Sequence, residues 1–228
     1  VYGYAYDSIG NHVWSVENAV TNTYAANNLN QYANITPPLA VAYDSDGNMT
    51  RYGVCFYSWD GENRLRMAQP VGATNGSVRV GNAYDYMSRR VRKTLETLSG
   101  QTPPSGSPPM PGDPGEWSPV RSIRYVWDGW NLVAEIAVDE SEGTTNVTRY
   151  VWGKDLSGTM QGAGGVGGLL AAQLDGLWCF PLYDANGNIT DYVNESGTVV
   201  AHREYGPFGR TTVATGPLVH ALHFWFST

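Results

Sequence analysis

The sequence predicts an all-β protein built from repeated antiparallel β-hairpins. Three observations support this fold class: a tyrosine-aspartate phrase recurs, aromatic residues are abundant, and turn-forming residues are frequent. Aromatic residues make up 12% of the 228 residues, with 15 Tyr and 8 Trp, and such rings are typical of strands. The 27 Gly and 13 Pro favour many turns. No segment shows a sustained 3.6-residue period, so little helix is expected.

The recurring phrase is a tyrosine and an aspartate, with a glycine three residues after the aspartate. In a type I turn the carboxylate accepts backbone N–H bonds, and the residue three positions later adopts a positive φ. Looser copies use asparagine there, which also tolerates positive φ. A phrase that recurs in this way indicates stacked copies of one small unit. The predicted turn pairs are Asp7 with Gly10, Asp44 with Gly47, Asp60 with Asn63, Asp128 with Asn131, Asp155 with Gly158, and Asp184 with Gly187. Weaker copies are Asn27 with Asn30, Asp85 with Ser88, and Gly206 with Gly209.

Aromatic residues precede these turns and apolar residues follow them. Each unit is therefore predicted to be a strand, a tight turn and a second strand, with one inward face of period two. The aromatic residues assigned to this structural role are Tyr6, Tyr43, Tyr57, Trp59, Tyr84, Tyr125, Trp127, Tyr150, Trp152, Tyr183 and Tyr205.

A proline-rich stretch from Ser99 to Pro119 interrupts the array. Proline lacks a backbone N–H, so this stretch is interpreted as an insertion or linker rather than as paired strand. The pattern resumes at Arg124, which favours one interrupted array over two separate domains. The predicted organisation is repeats over residues 1–98, a linker over 99–119, and repeats over 120–228.

Charge and composition exclude several classes of partner. The net charge of −7 disfavours nucleic acid, because phosphate binding needs a basic face. The one basic cluster, from Arg89 to Lys93, is interpreted as a solvated strand exit. No apolar run approaches the ~20 residues that span a bilayer, so no membrane insertion is expected. Cys55 and Cys179 lack a metal-ligand spacing and allow at most one disulfide.

Three further motifs are interpreted structurally. The run from Gly162 to Gly167 matches G-x-G-x-x-G, but it lacks the strand-helix context of a dinucleotide site, so it is predicted to be a packed glycine turn. His220 and His223 would point to opposite faces of a strand-like tail, which disfavours a shared metal ion. The turn aspartates already explain the obvious carboxylates of a glycosidase pair. No catalytic residue, cofactor or metal is predicted, and the chain is expected not to be an enzyme.

Longer motifs carry a family resemblance. The most specific are Tyr150-Val151-Trp152-Gly153-Lys154-Asp155-Leu156-Ser157-Gly158, the run from Tyr125 to Leu132, the run from Tyr183 to Thr190, Glu204-Tyr205-Gly206-Pro207-Phe208-Gly209, and the tail Phe224-Trp225-Phe226-Ser227-Thr228. With these motifs, nearly the whole chain resembles the Rhs (rearrangement hot spot) family of YD-repeat proteins, in the region that enters the Rhs-associated core. Gly206 departs from the family, which usually has aspartate there.

The resemblance implies a curved β-sheet that spirals into a hollow shell. In bacteria such a shell commonly encloses a C-terminal toxin and is exported with it. The implied partners are other repeats of a longer polypeptide and the enclosed toxin, and the implied location is secreted or at the cell surface of a bacterium. The chain stops at Thr228, before the family's D-P-x-G segment, so it is expected to be a fragment. The alternatives are an adhesion module that binds glycans through exposed Tyr and Trp, and, ranked lower, a glycan-active enzyme.

Overall fold

The computed structural model describes residues 2–100, 115–206 and 208–226. These residues contain eighteen strands and no helix, so the low helix content expected from the sequence is observed. The strands of the first half are β1 (Tyr2–Tyr6), β2 (His12–Glu17), β3 (Val20–Ala26), β4 (Tyr32–Thr36), β5 (Val41–Tyr43), β6 (Met49–Tyr52), β7 (Cys55–Trp59), β8 (Leu65–Pro70) and β9 (Val78–Tyr84). Those of the second half are β10 (Arg90–Ser99), β11 (Glu116–Asp128), β12 (Asn131–Asp139), β13 (Thr145–Trp152), β14 (Leu169–Leu174), β15 (Leu177–Tyr183), β16 (Ile189–Asn194), β17 (Val199–Tyr205) and β18 (Thr211–Thr215).

The strands form two antiparallel sheets in which hydrogen-bonded neighbours follow one another in the chain. Strands β1–β4 form the first sheet, and β5–β18 form the second. The predicted all-β fold of repeated hairpins is therefore confirmed. In such a meander successive turns alternate between the two ends of the strands. Within each sheet, the turns from an odd-numbered to an even-numbered strand therefore all lie at one end of the strands. These are the turns that the tyrosine-aspartate phrase marks.

The chain divides into two compact units. Unit 1 comprises Val1–Ala83 and Thr94–Val120, and unit 2 comprises Tyr84–Lys93 and Arg121–Thr228. The ends of the predicted linker are strand, because β10 reaches Ser99 and β11 begins at Glu116. Residues 101–114, with Asp113 and Pro114, lie outside the described residues, as do Pro207, Ser227 and Thr228. The linker interpretation therefore stays a prediction.

Most of the described buried apolar residues belong to unit 2. In unit 1 they are Ile35 and Leu98 alone. In unit 2 the core lies on one face of β14–β17, where Cys179, Ile189 and Tyr192 are fully buried. In β16, Ile189 and Tyr192 are buried while Thr190 and Asp191 between them are only partly covered, because a register shift opposite Leu182 and Tyr183 interrupts the strict alternation of the strand.

Residues 216–226, here called the tail, cover this face. The tail is built from turns and irregular backbone, so the strand-like tail expected from the sequence is wrong. Leu222 and Trp225 are 1% and 4% exposed. Both side chains belong to the hydrophobic core of unit 2. The tail therefore completes that core.

Candidate functional site

Five of the predicted turns share one hydrogen-bond pattern, and we call them the Asp turns. In each, Oδ1 of the aspartate accepts the backbone N–H of the second and fourth residues after it, at 2.8–3.0 Å. The third residue after the aspartate has a φ between 59° and 94°. The five aspartates are Asp7, Asp44, Asp60, Asp85 and Asp184, and the positive φ falls on Gly10, Gly47, Asn63, Ser88 and Gly187. Asn27 accepts the same two bonds with its amide oxygen.

A further position of these turns was missed from the sequence. The residue four positions after the aspartate donates a side-chain N–H to Oδ2, and it is always asparagine or arginine. The donors are Asn11, Asn48, Arg64, Arg89 and Asn188, at 2.8–3.1 Å. The side-chain amide of Asn188, together with backbone N–H groups, lowers the pKa of Asp184. The signal was present in the phrase, whose last residue is repeatedly asparagine.

Asparagine side chains also connect neighbouring turns within unit 1. Nδ2 of Asn11 donates to Oδ1 of Asn30 at 2.6 Å, and Nδ2 of Asn48 donates to Oδ1 of Asn63 at 2.8 Å. The turn carboxylates are thus occupied by structural hydrogen bonds, which leaves no free acid–base pair at the Asp turns.

The copy at Asp128 has a different geometry. Asp128 ends β11 and Asn131 begins β12, and the two residues pair across the hairpin. The loop is therefore only Gly129 and Trp130, and the positive φ of 58° falls on Gly129. The predicted role of Asn131 is wrong, because a glycine directly after the aspartate lets the chain reverse in two residues.

Asp155 has the most extensive contacts. Its Oδ1 accepts the backbone N–H and the hydroxyl of Ser157, at 2.9 and 2.5 Å. Its Oδ2 accepts the backbone N–H of Ala163 at 2.7 Å and of Gly165 at 3.2 Å. The hydroxyl of Ser157 and these backbone N–H groups hold the pKa of Asp155 at about 2. The carboxylate therefore organises the loop of residues 162–168, here called the glycine loop.

The glycine loop is a packed turn, as the sequence predicts. It joins β13 to β14, so the helix that a dinucleotide site needs is absent from this part of the structure. A Cβ on Gly168 would lie 3.0 Å from the carbonyl oxygen of Gly165. Backbone segments approach so closely here that only glycine fits.

Asp155→Asn is expected to reduce stability in a pH-dependent manner. A carboxyl whose pKa falls from 3.8 to about 2 on folding contributes stability that is complete above the unfolded value and is lost as the pH falls towards 2. The difference in Tm between wild type and variant should therefore be largest near neutral pH and should narrow below about pH 4. Thermal unfolding followed by circular dichroism measures this. Asp175→Asn, at an exposed turn, is the control and should show no such narrowing. If the difference in Tm between wild type and Asp155→Asn did not change with pH, the low pKa assigned to Asp155 would be contradicted.

Tyrosine and tryptophan side chains link six of the hairpins to the strand before them. A Tyr hydroxyl or Trp Nε1 near the end of an odd-numbered strand donates to a backbone carbonyl near the start of the preceding even-numbered strand. The donor–acceptor pairs are Tyr43–Tyr32, Trp59–Met49, Trp127–Arg90, Trp152–Leu132, Tyr183–Leu169 and Tyr205–Ile189, at 2.6–3.3 Å. This aromatic ladder gives a reason why these positions hold tyrosine or tryptophan: phenylalanine has no donor at the far end of its ring.

Trp152→Phe should remove the hydrogen bond and keep most of the packing. Trp152 packs edge-on against Phe224, with 5.1 Å between ring centroids, and a phenyl ring can occupy much of that space. The carbonyl of Leu132 would lose its donor, so we expect a loss of about 1 kcal/mol in the free energy of unfolding. Urea denaturation measures it. Trp130→Phe, at a position 56% exposed, should cost far less, and equal costs would argue against the ladder.

The remaining predicted aromatics occupy several environments. Tyr150 is 4% exposed and packs edge-on against Phe224 at 4.8 Å, and burial raises the pKa of its hydroxyl. Burial also raises the pKa of Tyr57. Tyr84 and Tyr125 line a cavity described below. Tyr6 is 44% exposed and lies 4.6 Å from the ring of His12, so it is less enclosed than the others.

Backbone and side-chain contacts hold the tail against the sheet of unit 2. The N–H of Ile189 donates to the carbonyl of Trp225 at 2.8 Å, and the hydroxyl of Tyr192 donates to the carbonyl of Phe224 at 2.9 Å. The guanidinium of Arg203 lies 4.4 Å from the ring centroid of Trp225. The tail is therefore seated by directed bonds as well as by apolar burial.

Two cavities border the tail, both lined by residues of unit 2. One has a volume of about 630 Å³ and the other about 360 Å³. The residues that line both are Trp127, Trp130, Leu132, His223 and Phe224. Because they share these walls, the two cavities are adjacent, and we call them together the aromatic trough.

One buried acid lies at the trough. Glu135, which is 6% exposed, accepts a hydrogen bond from Nδ1 of His223 at 2.6 Å when that nitrogen carries the proton. His223 is thus placed by a partner 88 positions away in the chain, a separation that sequence spacing does not reveal. His220 is exposed and takes no part in this pair.

The basic cluster is only partly solvated. The guanidinium of Arg89 forms an ion pair with Asp85 at 2.7 Å and donates to the carbonyl of Gly129. Arg90 and Lys93 line the larger cavity, and Arg90 lies 5.0 Å from the ring centroid of Tyr125. The interpretation of these residues as a solvated strand exit is therefore wrong for Arg89 and Lys93, which are only partly exposed because the β9–β10 turn brings them beside the aromatic trough, whereas Arg90 is exposed.

Other site types lack support in the described ranges. Cys55 and Cys179 are free thiols. No cluster of three or more histidine, cysteine or acidic side chains suited to a metal ion occurs among the residues described. Nor do they include a helix long and apolar enough to cross a bilayer.

Gly187→Val is expected to disrupt an Asp turn where it meets the glycine loop. Gly187 has a φ of 81°, and a Cβ there would lie 2.7 Å from Val166 and 2.9 Å from Leu156. Backbone strain of about 1–3 kcal/mol is thus joined by a steric clash. Gly197→Val, at a φ of 77° with open space around it, isolates the strain. Chemical denaturation should show the larger loss for Gly187→Val, and equal losses would refute the contact.

Comparison with known proteins supports the resemblance. No family model matches the chain. A curated relative, the tRNA3(Ser)-specific nuclease WapA of Bacillus spizizenii, is 24% identical over 213 residues, which are 92% of this chain and 8% of that protein. The chain thus spans a small part of its relative. The glycan-binding and enzyme alternatives stay predictions.

Two solved structures share the fold. The Tc holotoxin pore of Photorhabdus luminescens, in a TccC3 mutant, superposes with a TM-score of 0.51 and 12% identity over 99% of this chain and 14% of that one. The TcdB2-TccC3 complex without its hypervariable C-terminal region gives 0.50 and 13% identity over the same shares. The chain-ordered hairpins, the sequence match and this shared fold support an Rhs-like relationship.

Proposed function

We propose that this chain is a non-enzymatic part of a β wall that encloses a C-terminal effector of the same longer polypeptide. The observation that carries the proposal is the seat of the tail: polypeptide that follows the last strand returns over the sheet of unit 2. Trp225 and Leu222 are buried there. This sheet face already binds residues that follow β18. It is therefore suited to bind residues that lie further along the same polypeptide.

The hydrogen-bonded turns and the aromatic ladder supply the rigidity that a wall needs. The polar groups of these turns and of the ladder are bound to structural partners, which supports a structural role for them. The structural neighbour described as lacking its hypervariable C-terminal region is consistent with a variable segment that follows a constant wall. In this proposal the wall is secreted or delivered together with its effector.

Limited proteolysis of the longer polypeptide tests the proposal. The region that follows this chain should resist protease in the native protein and should be cleaved once mild denaturant opens the wall. Trp225→Ala should increase its cleavage, whereas Tyr86→Ala, at a position 89% exposed, should not. Cleavage of that region at the same rate in native and denatured protein would refute enclosure.

A further inference from the structure

The aromatic trough combines apolar walls with positive charge that is not neutralised. Its two adjacent cavities, of about 630 and 360 Å³, are within the size range of small-ligand sites. Tyr125, Trp127 and Trp130 form part of the larger cavity. Such a surface offers flat rings to apolar side chains and cations to an acid.

The cations of the trough differ in how they are paired. Arg89 is neutralised by Asp85, and Glu135 is held by His223. Lys93 is partly buried at the cavity and makes no ion pair or hydrogen bond with any described residue. Arg90 contacts the face of Tyr125 and is exposed. A partly buried ammonium without an anion is costly, so an anionic partner at Lys93 would stabilise the site.

We propose that the aromatic trough binds an extended segment of the effector polypeptide, with an acidic side chain on Lys93 and Arg90 and apolar or aromatic side chains against Trp127 and Trp130. This inference rests on the proposed function, because the effector supplies the segment. Charge complementarity favours an acid: Lys93 and Arg90 line the larger cavity without a carboxylate partner, and the acid among its lining residues, Glu135, is hydrogen-bonded to His223. The tail favours polypeptide as the ligand, because its residues His223 and Phe224 already form part of both cavities and the effector would follow the tail in the chain.

Carbodiimide cross-linking of the longer polypeptide tests the proposal directly, since this reagent joins a lysine amine to a carboxylate in contact with it. The chain contains two lysines, Lys93 and Lys154. Lys154 is exposed and serves as the internal control. Mass spectrometry should find Lys93 joined to an aspartate or glutamate of the region that follows this chain, flanked by apolar residues. Lys93→Arg keeps the charge and removes the amine, so the cross-link should disappear while protease resistance is retained.

A charge reversal provides a second readout. Lys93→Glu should increase proteolysis of the effector region several-fold, and Lys154→Glu should leave it unchanged. Neither lysine is buried, so both variants are expected to fold. Circular dichroism can verify this.

The outcomes separate this inference from the proposed function. If the effector region resists protease but Lys93 forms no cross-link, or is joined to Glu135, the trough does not hold an acidic segment and the inference is overturned while enclosure stands. If the effector region is cleaved freely in the native protein, the proposed function fails first.

Discussion

Trp225→Ala is expected to lower the free energy of unfolding of unit 2 by about 3–5 kcal/mol, the usual cost of truncating a buried tryptophan. Trp225 is 4% exposed, its ring packs edge-on against Tyr192 at 5.1 Å, and Nε1 donates to the carbonyl of Leu222 at 2.6 Å. The substitution would leave a cavity between the tail and the sheet and would remove the ring that faces the Arg203 guanidinium.

Urea denaturation followed by circular dichroism measures this loss, and protease cleavage within residues 216–226 reports release of the tail. Trp130→Ala, at an exposed position of the same unit, is the matched control and should cost below about 0.5 kcal/mol. A Trp225→Ala protein as stable as this control would show that the tail does not complete the core.

Gly216→Ala is expected to displace the start of the tail. Gly216 has a φ of 100°, which strains alanine by about 1–3 kcal/mol. A Cβ there would also lie 2.5 Å from the carbonyl oxygen of Val200 and 2.8 Å from the Cα of Ala201. Both are backbone atoms of β17 and cannot rotate away, so the tail itself has to move.

The displacement should appear as a lower Tm and as faster proteolysis of the tail. Gly176→Ala provides the comparison, since Gly176 has a φ of 84° and no atom near the added Cβ. It carries the backbone strain without the clash. If the two variants lose the same stability and the tail of Gly216→Ala stays protected, the close approach to β17 is refuted.

The turns could be predicted from the sequence because their hydrogen bonds are local. Asp7 and Asp184 bond to residues two and four positions away, so spacing alone identifies them. The same rule failed at Asp128, where the neighbouring glycine changes the loop length. It also passed over Asn194, whose amide oxygen accepts the N–H of Ser196 and of Thr198 at the opposite end of the strands. No tyrosine-aspartate phrase marks that turn.

The contacts of the trough and the tail could not be predicted because they depend on register. The acceptor of Trp152 is a carbonyl on the neighbouring strand, 20 positions away, and sequence spacing does not determine which carbonyl the ring reaches. The pair of Glu135 with His223 and the approach of Lys93 to the rings of β11 likewise follow only once the strand order is known. The aromatic composition indicated a packed surface, and the structure shows which part of it is covered.

The aromatic ladder has a consequence for biosynthesis. In every link the carbonyl acceptor precedes its donor in the chain, as Met49 precedes Trp59 and Ile189 precedes Tyr205. A nascent chain leaving the ribosome can therefore complete each link as soon as the next hairpin emerges, without waiting for distant sequence. The tail is the exception, because His223 meets Glu135 only after six further strands have been made. Translation would thus build the hairpins one after another and close the tail over them last.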